Sequence, residues 1–267
     1  MKTPGKILAE KVKHIRDSNQ FAVRSSALPT WCPGCGYFGI HHALSGCLKQ
    51  MGMPLHEIVV VSGIGCAGRY PFFSNTYGLH TVHGRTLPVA TGVKMANPGL
   101  TVYAVGGDGD GLAIGGGHLP HVIRRDVNIN YLLFDNSMYG LTKGQPSPSS
   151  PVGTTTKASP FGTVDKPLNA TLMALTYGIG FVARLFAGDP EGMRNAFVEG
   201  TRHNGFSLFH IYTTCVTFDK VNKTWDNLKR QIHPLPQNHD AGNLRKAFDA
   251  VLDDDFTTGI IFQKESA

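Results

Sequence analysis

The chain has 267 residues, of which 41% are hydrophobic and 16% charged, a balance that suits one large core and excludes a disordered protein. The formal net charge is +6, but the basic residues are scattered, so we predict no nucleic-acid partner. No apolar run approaches the roughly eighteen residues of a membrane helix, and the first twenty residues carry lysines rather than an apolar signal core. We therefore predict a cytoplasmic protein without a membrane partner.

Strand-like and helix-like patterns alternate along most of the chain. In chain order, helices are predicted at 5–19, 37–51, 85–97, 111–125, 168–177 and 190–203, and strands at 56–62, 100–106, 128–134, 180–185 and 206–213. Five strands separated by helices predict an α/β fold: a doubly wound, mostly parallel sheet with helices on both faces and ligand sites at the carboxyl ends of its strands.

Two stretches depart from this alternation. Residues 135–160 are polar and rich in Gly, Pro, Ser and Thr. This segment is too long for an ordinary connection and is predicted to be either a functional loop or a mobile one. Residues 216–267 show no clean period and are predicted to form a C-terminal tail that packs on the main domain or on a partner. The predicted organisation is thus a ligand-binding domain at 1–215 and a tail at 216–267.

Residues 63–68 (GIGCAG) follow a strand and satisfy the G-x-G-x-x-G pattern of dinucleotide-binding proteins. The segment that follows is a poor helix former, and no acidic residue lies about twenty positions on to hold a ribose. We therefore predict that these glycines let the backbone approach a different ligand. Because no Asp or Glu lies between Glu57 and Asp108, that ligand is expected to be anionic.

A second glycine-rich turn, GGDGDG at 106–111, follows the next predicted strand. Asn136 follows the strand after that, 28 positions beyond Asp108. A carboxylate and an amide at two adjacent strand ends can supply oxygen ligands to a hard divalent cation that holds a diphosphate. An acidic glycine turn with an Asn cap is the competing interpretation, and the pairing of Asp108 with Asn136 favours the ligand site.

Five cysteines without a secretory signal indicate ligand or redox use rather than disulfides. Cys32 and Cys35 form a C-x-x-C pair, and Cys66 and Cys215 raise the number of candidate thiolates to four. A redox dithiol, a structural zinc site and a [4Fe–4S] cluster remain open on these residues alone. Cys47 lies within an apolar helical pattern and is predicted to be a buried side chain.

The GGDGDG turn and the later Asp135–Asn136 pair resemble the thiamine diphosphate signature. The segment GDGDGLAIGGGHLPHVIRRDVNINYLLFDNSMYGLTKGQPSP is similar to the β subunit of 2-oxoacid:ferredoxin oxidoreductases, over about residues 28–215. The resemblance implies a sheet of the thiamine-diphosphate-binding type, with Mg²⁺ held by Asp108, Asn136 and the Met138 carbonyl. Asp110 would not be a metal ligand and would instead bind water around the phosphates.

The resemblance also implies a [4Fe–4S] cluster on Cys32, Cys35, Cys66 and Cys215. Cofactor contacts would come from Ile64, Gly65, His83, Gly84, Gly107, Asp108, Gly109, Asp110, Asn136, Met138, Gly140 and Leu141.

The same resemblance places basic residues that bind the 2-oxoacid at Arg69 and Lys143. The stretch LTKGQ at 141–145 is similar to members that use 2-oxoglutarate. The implied reaction converts a 2-oxoacid and coenzyme A to acyl-CoA and CO₂, with single electrons passing through the cluster to ferredoxin. The activating glutamate would come from an α subunit, in an αβ or (αβ)₂ assembly. The alternative is a thiamine-dependent non-oxidative decarboxylase or synthase half with a structural zinc at the cysteines.

Overall fold

The alternating pattern builds a central sheet in the computed structural model, which describes residues 23–264. The helix predicted at 5–19 lies outside the described residues. In chain order the strands are β1 (Ile58–Ser62), β2 (Tyr77–His80), β3 (Thr101–Gly107), β4 (Asn130–Asp135), β5 (Met138–Tyr139), β6 (Gln145–Pro146), β7 (Phe181–Phe186), β8 (Ser207–Tyr212), β9 (His233–Pro234) and β10 (Thr257–Gln263).

Eight of these strands form one sheet in the order β2-β1-β3-β4-β8-β7-β10-β9. Neighbouring strands are parallel except at β10, which runs antiparallel to β7. The strands β5 and β6 form a separate antiparallel hairpin. All residues of β1, β4 and β8 are buried, as expected for parallel strands covered on both faces. The predicted α/β class with a mostly parallel sheet is confirmed.

Helices cover both faces of the sheet. They are α1 (Tyr37–Met51), α2 (Thr86–Ala96), α3 (Leu119–Arg125), α4 (Ala170–Thr176), α5 (Pro190–Arg202), α6 (Trp225–Gln231) and α7 (Leu244–Asp253). One core cluster contains buried residues of α1 and α5, and the other contains those of α2, α3, α4 and α7. No helix in residues 23–264 has the length and apolar character that crossing a membrane requires.

Local sequence explains where the longer helices begin and end. Helix α1 ends at Gly52, which adopts the left-handed conformation at φ 63° and donates its N–H to the Lys49 carbonyl. Helix α5 begins with Pro190, and the preceding Asp189 accepts a hydrogen bond from the Gly192 N–H. These two helices pack against each other on the face of the sheet that also carries the cysteine-containing loop.

The helix predicted at 111–125 is wrong over its first half. A π-type turn spans Gly109–Ile114, a short 3₁₀ turn spans Gly116–His118, and the α-helix covers only Leu119–Arg125. Four glycines in this stretch disfavour a regular helix, and Ala113 has a non-helical ψ of −105°. The Gly115 N–H therefore reaches back five residues to the Asp110 carbonyl.

Three strands of the sheet are absent from the sequence-based prediction. Strand β2 comes from the loop predicted after residue 63, and its four residues are all exposed. Strands β9 and β10 come from the segment 216–267, which therefore contributes strands to the sheet instead of only packing on it. Gly259, at φ 144°, lies in β10 just before a register shift at Ile260 and Phe262, which is why a strand period is weak there.

Candidate functional site

The loops that carry the predicted site residues meet at one edge of the sheet. Strands β1, β3, β4 and β8 are parallel neighbours, so their carboxyl ends lie side by side. The loops that follow them contain the predicted sites at 63–66, 107–110, 136–141 and 213–215. Two cavities open between these loops.

The first cavity has a volume of about 420 Å³, within the roughly 300–1,000 Å³ of small-molecule sites. Most of the residues predicted to contact a cofactor line it, and they are Ile64, Gly65, His83, Gly107, Asp108, Gly109, Asp110, Met138, Gly140 and Leu141. Gly84 and Asn136 are not among its lining residues. Gly84 instead holds Asp110 through its N–H, and Asn136 lines the second cavity.

Asp108 lies at the floor of the first cavity and is buried. Its Oδ2 atom accepts hydrogen bonds from the hydroxyls of Ser147 and Ser149, and its Oδ1 atom has no hydrogen-bond donor among the described residues. Burial, followed by the nearby Asp135 carboxylate, raises the pKa of Asp108 to about 6. A buried carboxylate with one free oxygen suits a divalent cation, which would offset both unfavourable effects.

Asn136 directly follows β4, the strand next to β3, and both the oxygen and the nitrogen of its side-chain amide form hydrogen bonds. Its Oδ1 atom accepts the Met138 N–H at 3.0 Å, and its Nδ2 atom donates to the Tyr37 hydroxyl at 3.1 Å. Because a backbone N–H can only donate, these contacts also assign the amide oxygen and nitrogen. Asp108, Asn136 and the Met138 carbonyl offer hard oxygen atoms of the kind that Mg²⁺ prefers as ligands.

Asp110 lines the cavity and is engaged by the loops around it. Its carboxylate accepts from the backbone N–H groups of Ile64 and Gly84, from His83 Nδ1 and from the Thr86 hydroxyl, at 2.8–3.2 Å. Asp110 therefore holds the loop after β1 and the loop before α2 against the GDGDG turn. Its binding of water around the phosphates stays a prediction.

Two glycines are required by close approaches in this region. A Cβ atom at Gly63 would lie 2.1 Å from Asp110 Oδ2. A Cβ atom at Gly109 would lie 2.3 Å from the Tyr139 ring, whose hydroxyl donates to the Gly109 carbonyl at 2.9 Å. Neither position accepts a side chain without movement of its neighbour. After Gly63 and Gly65 the chain forms a 3₁₀ turn at Ala67–Phe73 rather than an α-helix, which agrees with the exclusion of a dinucleotide fold.

The second cavity has a volume of about 320 Å³ and gathers all four predicted cysteine ligands. The C-x-x-C loop is tied down by two tryptophans: Trp31 donates its indole N–H to the Cys66 carbonyl at 2.8 Å, and Trp225 donates to the Gly34 carbonyl at 2.9 Å. A Cβ atom at Gly140 would lie 3.5 Å from the sulfurs of both Cys66 and Cys215. These two sulfurs therefore face the same point.

The electrostatics of the thiols fit a cationic occupant. Burial raises the pKa of Cys35 to about 12, the hydrogen bond from the Tyr37 backbone lowers it, and the other three cysteines raise it further. Burial also raises the pKa of Cys66. Ionising these thiols needs a positive group between them. Cys47 is buried in α1, away from this cavity, so its assignment as a core side chain is confirmed.

The spacing of the thiols bears on the kind of group that they could hold. Within residues 23–264, no three Cys, His, Asp or Glu side chains converge closely enough to hold a single metal ion. Tetrahedral zinc needs four ligands within about 2.3 Å of one point. The four cysteines line one cavity, and thiolates are ligands of both zinc and iron–sulfur clusters.

The two cavities share a wall formed by Tyr37, Cys66, Gly140 and Leu141. Arg69 and Lys143, the predicted substrate-binding cations, both line the second cavity close to this wall. The Arg69 guanidinium donates to the Thr30 hydroxyl at 2.8 Å. Lys143 has a φ of 80°. This value is unfavourable for any residue other than glycine, and residues with such values are often found at functional positions.

Several residues that support the site were not predicted from the sequence. Asp135, directly before Asn136, pairs with Lys223 and His210 in a buried cluster. Burial would raise the pKa of Asp135, but Lys223 and His210 hold it well below its usual range. Burial lowers the pKa of His210, which is therefore neutral at pH 7. The available signals were the Asp135–Asn136 pair and the serine-rich run at 147–150.

Comparison with known proteins identifies the class to which this fold and site belong. Residues 55–211 match the family "Thiamine pyrophosphate enzyme, C-terminal TPP binding domain". Residues 215–267 match the family described as the C-terminal part of the pyruvate ferredoxin oxidoreductase β subunit. The chain is thus related to the thiamine pyrophosphate enzymes.

Individual relatives indicate which of the thiamine pyrophosphate enzymes this chain is most similar to. The chain is 38% identical over 245 residues to the 2-oxoglutarate synthase subunit KorB of Archaeoglobus fulgidus, covering 91% of this chain and 88% of that protein. It is 42% identical over 201 residues to the 2-oxoglutarate oxidoreductase subunit KorB of Mycobacterium tuberculosis, covering 75% of this chain. The chain spans 53% of the length of this second relative and 64% of a 2-oxoacid:ferredoxin oxidoreductase β subunit from Aeropyrum pernix.

A solved structure gives the same result. The 2-oxoglutarate:ferredoxin oxidoreductase from Magnetococcus marinus, with 2-oxoglutarate, coenzyme A and succinyl-CoA bound, superimposes with a TM-score of 0.89. The sequences are 40% identical, and the match covers 92% of this chain and 85% of that one. The chain belongs to the β subunits of the 2-oxoacid:ferredoxin oxidoreductases. The resemblance stated from sequence is thereby confirmed.

Proposed function

We propose that this chain is the cofactor-binding subunit of a cytoplasmic enzyme that oxidatively decarboxylates 2-oxoglutarate. In the proposed reaction, 2-oxoglutarate and coenzyme A give succinyl-CoA and CO₂, and two electrons pass singly to oxidised ferredoxin. The observation that carries the proposal is the shared wall between the two cavities. One cavity contains oxygen donors for a metal-bound diphosphate and the other contains four thiols, so a decarboxylation site and an electron acceptor would be adjacent.

In this proposal the oxygen donors hold the cofactor. Asp108, Asn136 and the Met138 carbonyl bind Mg²⁺, and the glycines at 107 and 109 let the backbone approach the diphosphate. Thiamine diphosphate supplies the carbanion chemistry that lets a 2-oxoacid lose CO₂. The role of this chain is to fix the diphosphate at the strand ends, and Asp110 keeps the surrounding loops in place.

The cations of the second cavity orient the substrate. A dicarboxylic 2-oxoacid presents two carboxylates, and Arg69 and Lys143 line the cavity that shares a wall with the proposed thiamine diphosphate site. A guanidinium can bind a carboxylate with two parallel hydrogen bonds, whereas an ammonium acts as a point charge. The two residues can therefore bind one carboxylate each.

The thiols of Cys32, Cys35, Cys66 and Cys215 would hold a [4Fe–4S] cluster, which accepts electrons one at a time. Their common cavity supports this assignment. Their position against the shared wall keeps the electron transfer short. Thr217 donates to the Cys32 sulfur at 3.1 Å, and hydrogen bonds to sulfur tune the potential of such clusters.

The proposed site is completed by an α subunit. The glutamates of the described part, Glu57, Glu191 and Glu199, line neither cavity, so none can activate the cofactor. Ile64 and Leu141 line the first cavity and are also more than one-third exposed, as expected of apolar residues that a partner covers. We propose an αβ or (αβ)₂ assembly in which the activating glutamate belongs to the α subunit.

The test is to purify the α and β subunits together without oxygen and to measure iron, zinc and acid-labile sulfide. About four irons and four sulfides per β chain, together with CoA-dependent reduction of ferredoxin by 2-oxoglutarate, are the expected results. One zinc without sulfide, with non-oxidative decarboxylation, would instead establish the thiamine-dependent decarboxylase or synthase half. A complex that binds no thiamine diphosphate in the presence of Mg²⁺ would exclude both functions.

A further inference from the structure

Tyr37 is the one residue of the shared wall that makes a defined contact with each of the two predicted ligand sets. It is the first residue of α1, directly after the C-x-x-C loop, and its side chain is only 3% exposed. Its ring packs edge-on against Phe134, at the end of β4, with ring centroids 4.9 Å apart. The side chain is therefore held firmly between the cysteine loop and the sheet.

The backbone at the start of α1 is joined to the cysteine loop. The Phe38 N–H donates to the Cys35 carbonyl at 3.3 Å, so the turn that positions Tyr37 begins at a predicted cluster ligand. The Tyr37 backbone also lowers the pKa of the Cys35 thiol against the effect of burial. These contacts belong to the main chain, so they persist whatever side chain occupies position 37.

The side chain of Tyr37 contacts the metal site. Its hydroxyl accepts the hydrogen bond from Asn136 Nδ2 at 3.1 Å, and this contact fixes the amide oxygen on the opposite side, where it also accepts the Met138 N–H. Without the Tyr37 hydroxyl, the buried Asn136 Nδ2 atom would have no acceptor among the described residues. The amide would then lose one of the two contacts that orient its oxygen.

We propose that Tyr37 is a positioning residue that couples the cysteine site to the metal site. The cluster orders the C-x-x-C loop, the loop sets the position of Tyr37, and Tyr37 orients Asn136 for Mg²⁺ and thiamine diphosphate. The inference rests on the proposed function and deepens it, because it makes cofactor affinity depend on cluster occupancy. By reciprocity, cofactor binding then favours the cluster-bound state by the same factor.

The test compares Tyr37→Phe with Tyr70→Phe in the α–β complex purified without oxygen. Tyr37→Phe keeps the ring packing and the backbone contact to Cys35 and removes only the acceptor for Asn136. Tyr70→Phe removes a hydroxyl from the same buried aromatic group, where Tyr70 packs on Phe134 with centroids 6.3 Å apart, without touching Asn136. Iron content and the Mg²⁺-dependent Kd of thiamine diphosphate are measured by elemental analysis and calorimetry, before and after the cluster is removed by a chelator.

In the wild-type complex, cluster removal is expected to raise the Kd about 3- to 10-fold, the range supported by one buried hydrogen bond. The Tyr37→Phe complex is expected to hold as much iron as the wild-type complex. With the cluster present, its Kd for thiamine diphosphate is expected to exceed the wild-type Kd by a similar factor. Cluster removal is then expected to change the Kd of this variant by less than about twofold. Tyr70→Phe is expected to behave as wild type. This loss of cluster dependence distinguishes coupling from a general structural defect, which would weaken binding in both cluster states.

The proposal is overturned if Tyr37→Phe binds the cofactor as wild type does, if it retains the full dependence on the cluster, or if it loses iron. The wild-type complex separates these results from failure of the proposed function. A wild-type complex without iron or without thiamine diphosphate binding refutes the function itself. A wild-type complex that contains iron and binds thiamine diphosphate, but whose Kd does not change when the cluster is removed, refutes only the coupling.

Discussion

Lys223 places its ammonium 2.6 Å from the carboxylate of Asp135, and both side chains are buried. The Ser149 hydroxyl lies 2.6 Å from an Asp135 oxygen and 2.9 Å from an Asp108 oxygen, and its single proton is donated to one of them at a time. A residue of the segment after 215 is therefore connected through one serine to the carboxylate predicted to bind the metal. The C-terminal segment thus supports the site through a buried ion pair, and it also lines the second cavity through Val216, Thr217 and Phe218.

Replacing Lys223 by Met should destabilise the chain by about 3–5 kcal/mol, because it leaves the Asp135 charge buried without its partner. Thermal or denaturant unfolding of the α–β complex measures this loss. Lys220→Met is the control, since Lys220 is exposed three residues away, and its effect should stay within about 0.5 kcal/mol. Equal effects of the two substitutions would show that the buried pair contributes no special stability.

Replacing Asp108 by Asn should abolish Mg²⁺-dependent thiamine diphosphate binding while leaving the cofactor-free complex as stable as wild type or more stable. The pKa of Asp108 is raised by burial and by the nearby Asp135, so a neutral amide removes a buried charge and a repulsion. Calorimetry measures the binding, and the melting temperature without cofactor measures the stability. A variant that melts clearly below wild type would contradict this account of the carboxylate.

Replacing Gly63 by Ala should weaken thiamine diphosphate binding by at least about tenfold without changing the iron content. The added Cβ atom would displace Asp110, which holds the loops at Ile64 and Gly84; loss of such hydrogen bonds costs about 1–3 kcal/mol. Gly92→Ala in α2 is the matched control, because its Cβ atom would meet nothing within 4 Å. Unchanged affinity in the Gly63 variant would remove Asp110 from its loop-holding role.

Replacing Lys143 by Gly should raise the KM for 2-oxoglutarate much more than it changes cofactor affinity. Glycine accepts the φ of 80° at this position without strain, so the effect reports on the lost ammonium rather than on the turn. Loss of a charged hydrogen bond of about 1.5–3 kcal/mol corresponds to roughly 10- to 150-fold. Steady-state kinetics provide the measurement, with Lys157→Gly as an exposed control. An unchanged KM would remove Lys143 from the substrate site.

Replacing Cys215 by Ala should reduce the iron content of the purified complex and slow ferredoxin reduction. Replacing Cys47 by Ala should leave both unchanged, because Cys47 packs in the core near the Met51 sulfur. Each substitution removes one thiol from a buried position. A difference in iron content between the two variants therefore reports on where the thiol lies and not on the loss of a thiol as such. Equal iron in both variants would exclude Cys215 as a ligand.

The main sheet and the location of the site were predictable because buried parallel strands leave long β-branched and apolar runs. The run at 56–62 is one example. Asp108 and Asn136 each come directly after another such strand. Strand β2 was not predictable, because it is exposed and contains Gly78, with pairing on one side only. The roles of Asp110 and Tyr37 also depend on contacts between loops that are distant in sequence, which no local pattern records.

Strand β10 lies inside the sheet, between β7 and β9, so the chain cannot be divided cleanly after residue 215. A protein cut there would expose the edge of β7 at residues 181–184 and would lose Trp225, whose indole N–H donates to the carbonyl of Gly34 in the C-x-x-C loop. The open edge would offer unpaired backbone groups to other chains and favour aggregation. The two family segments therefore behave as a single folding unit, and neither can be exchanged between relatives without the other.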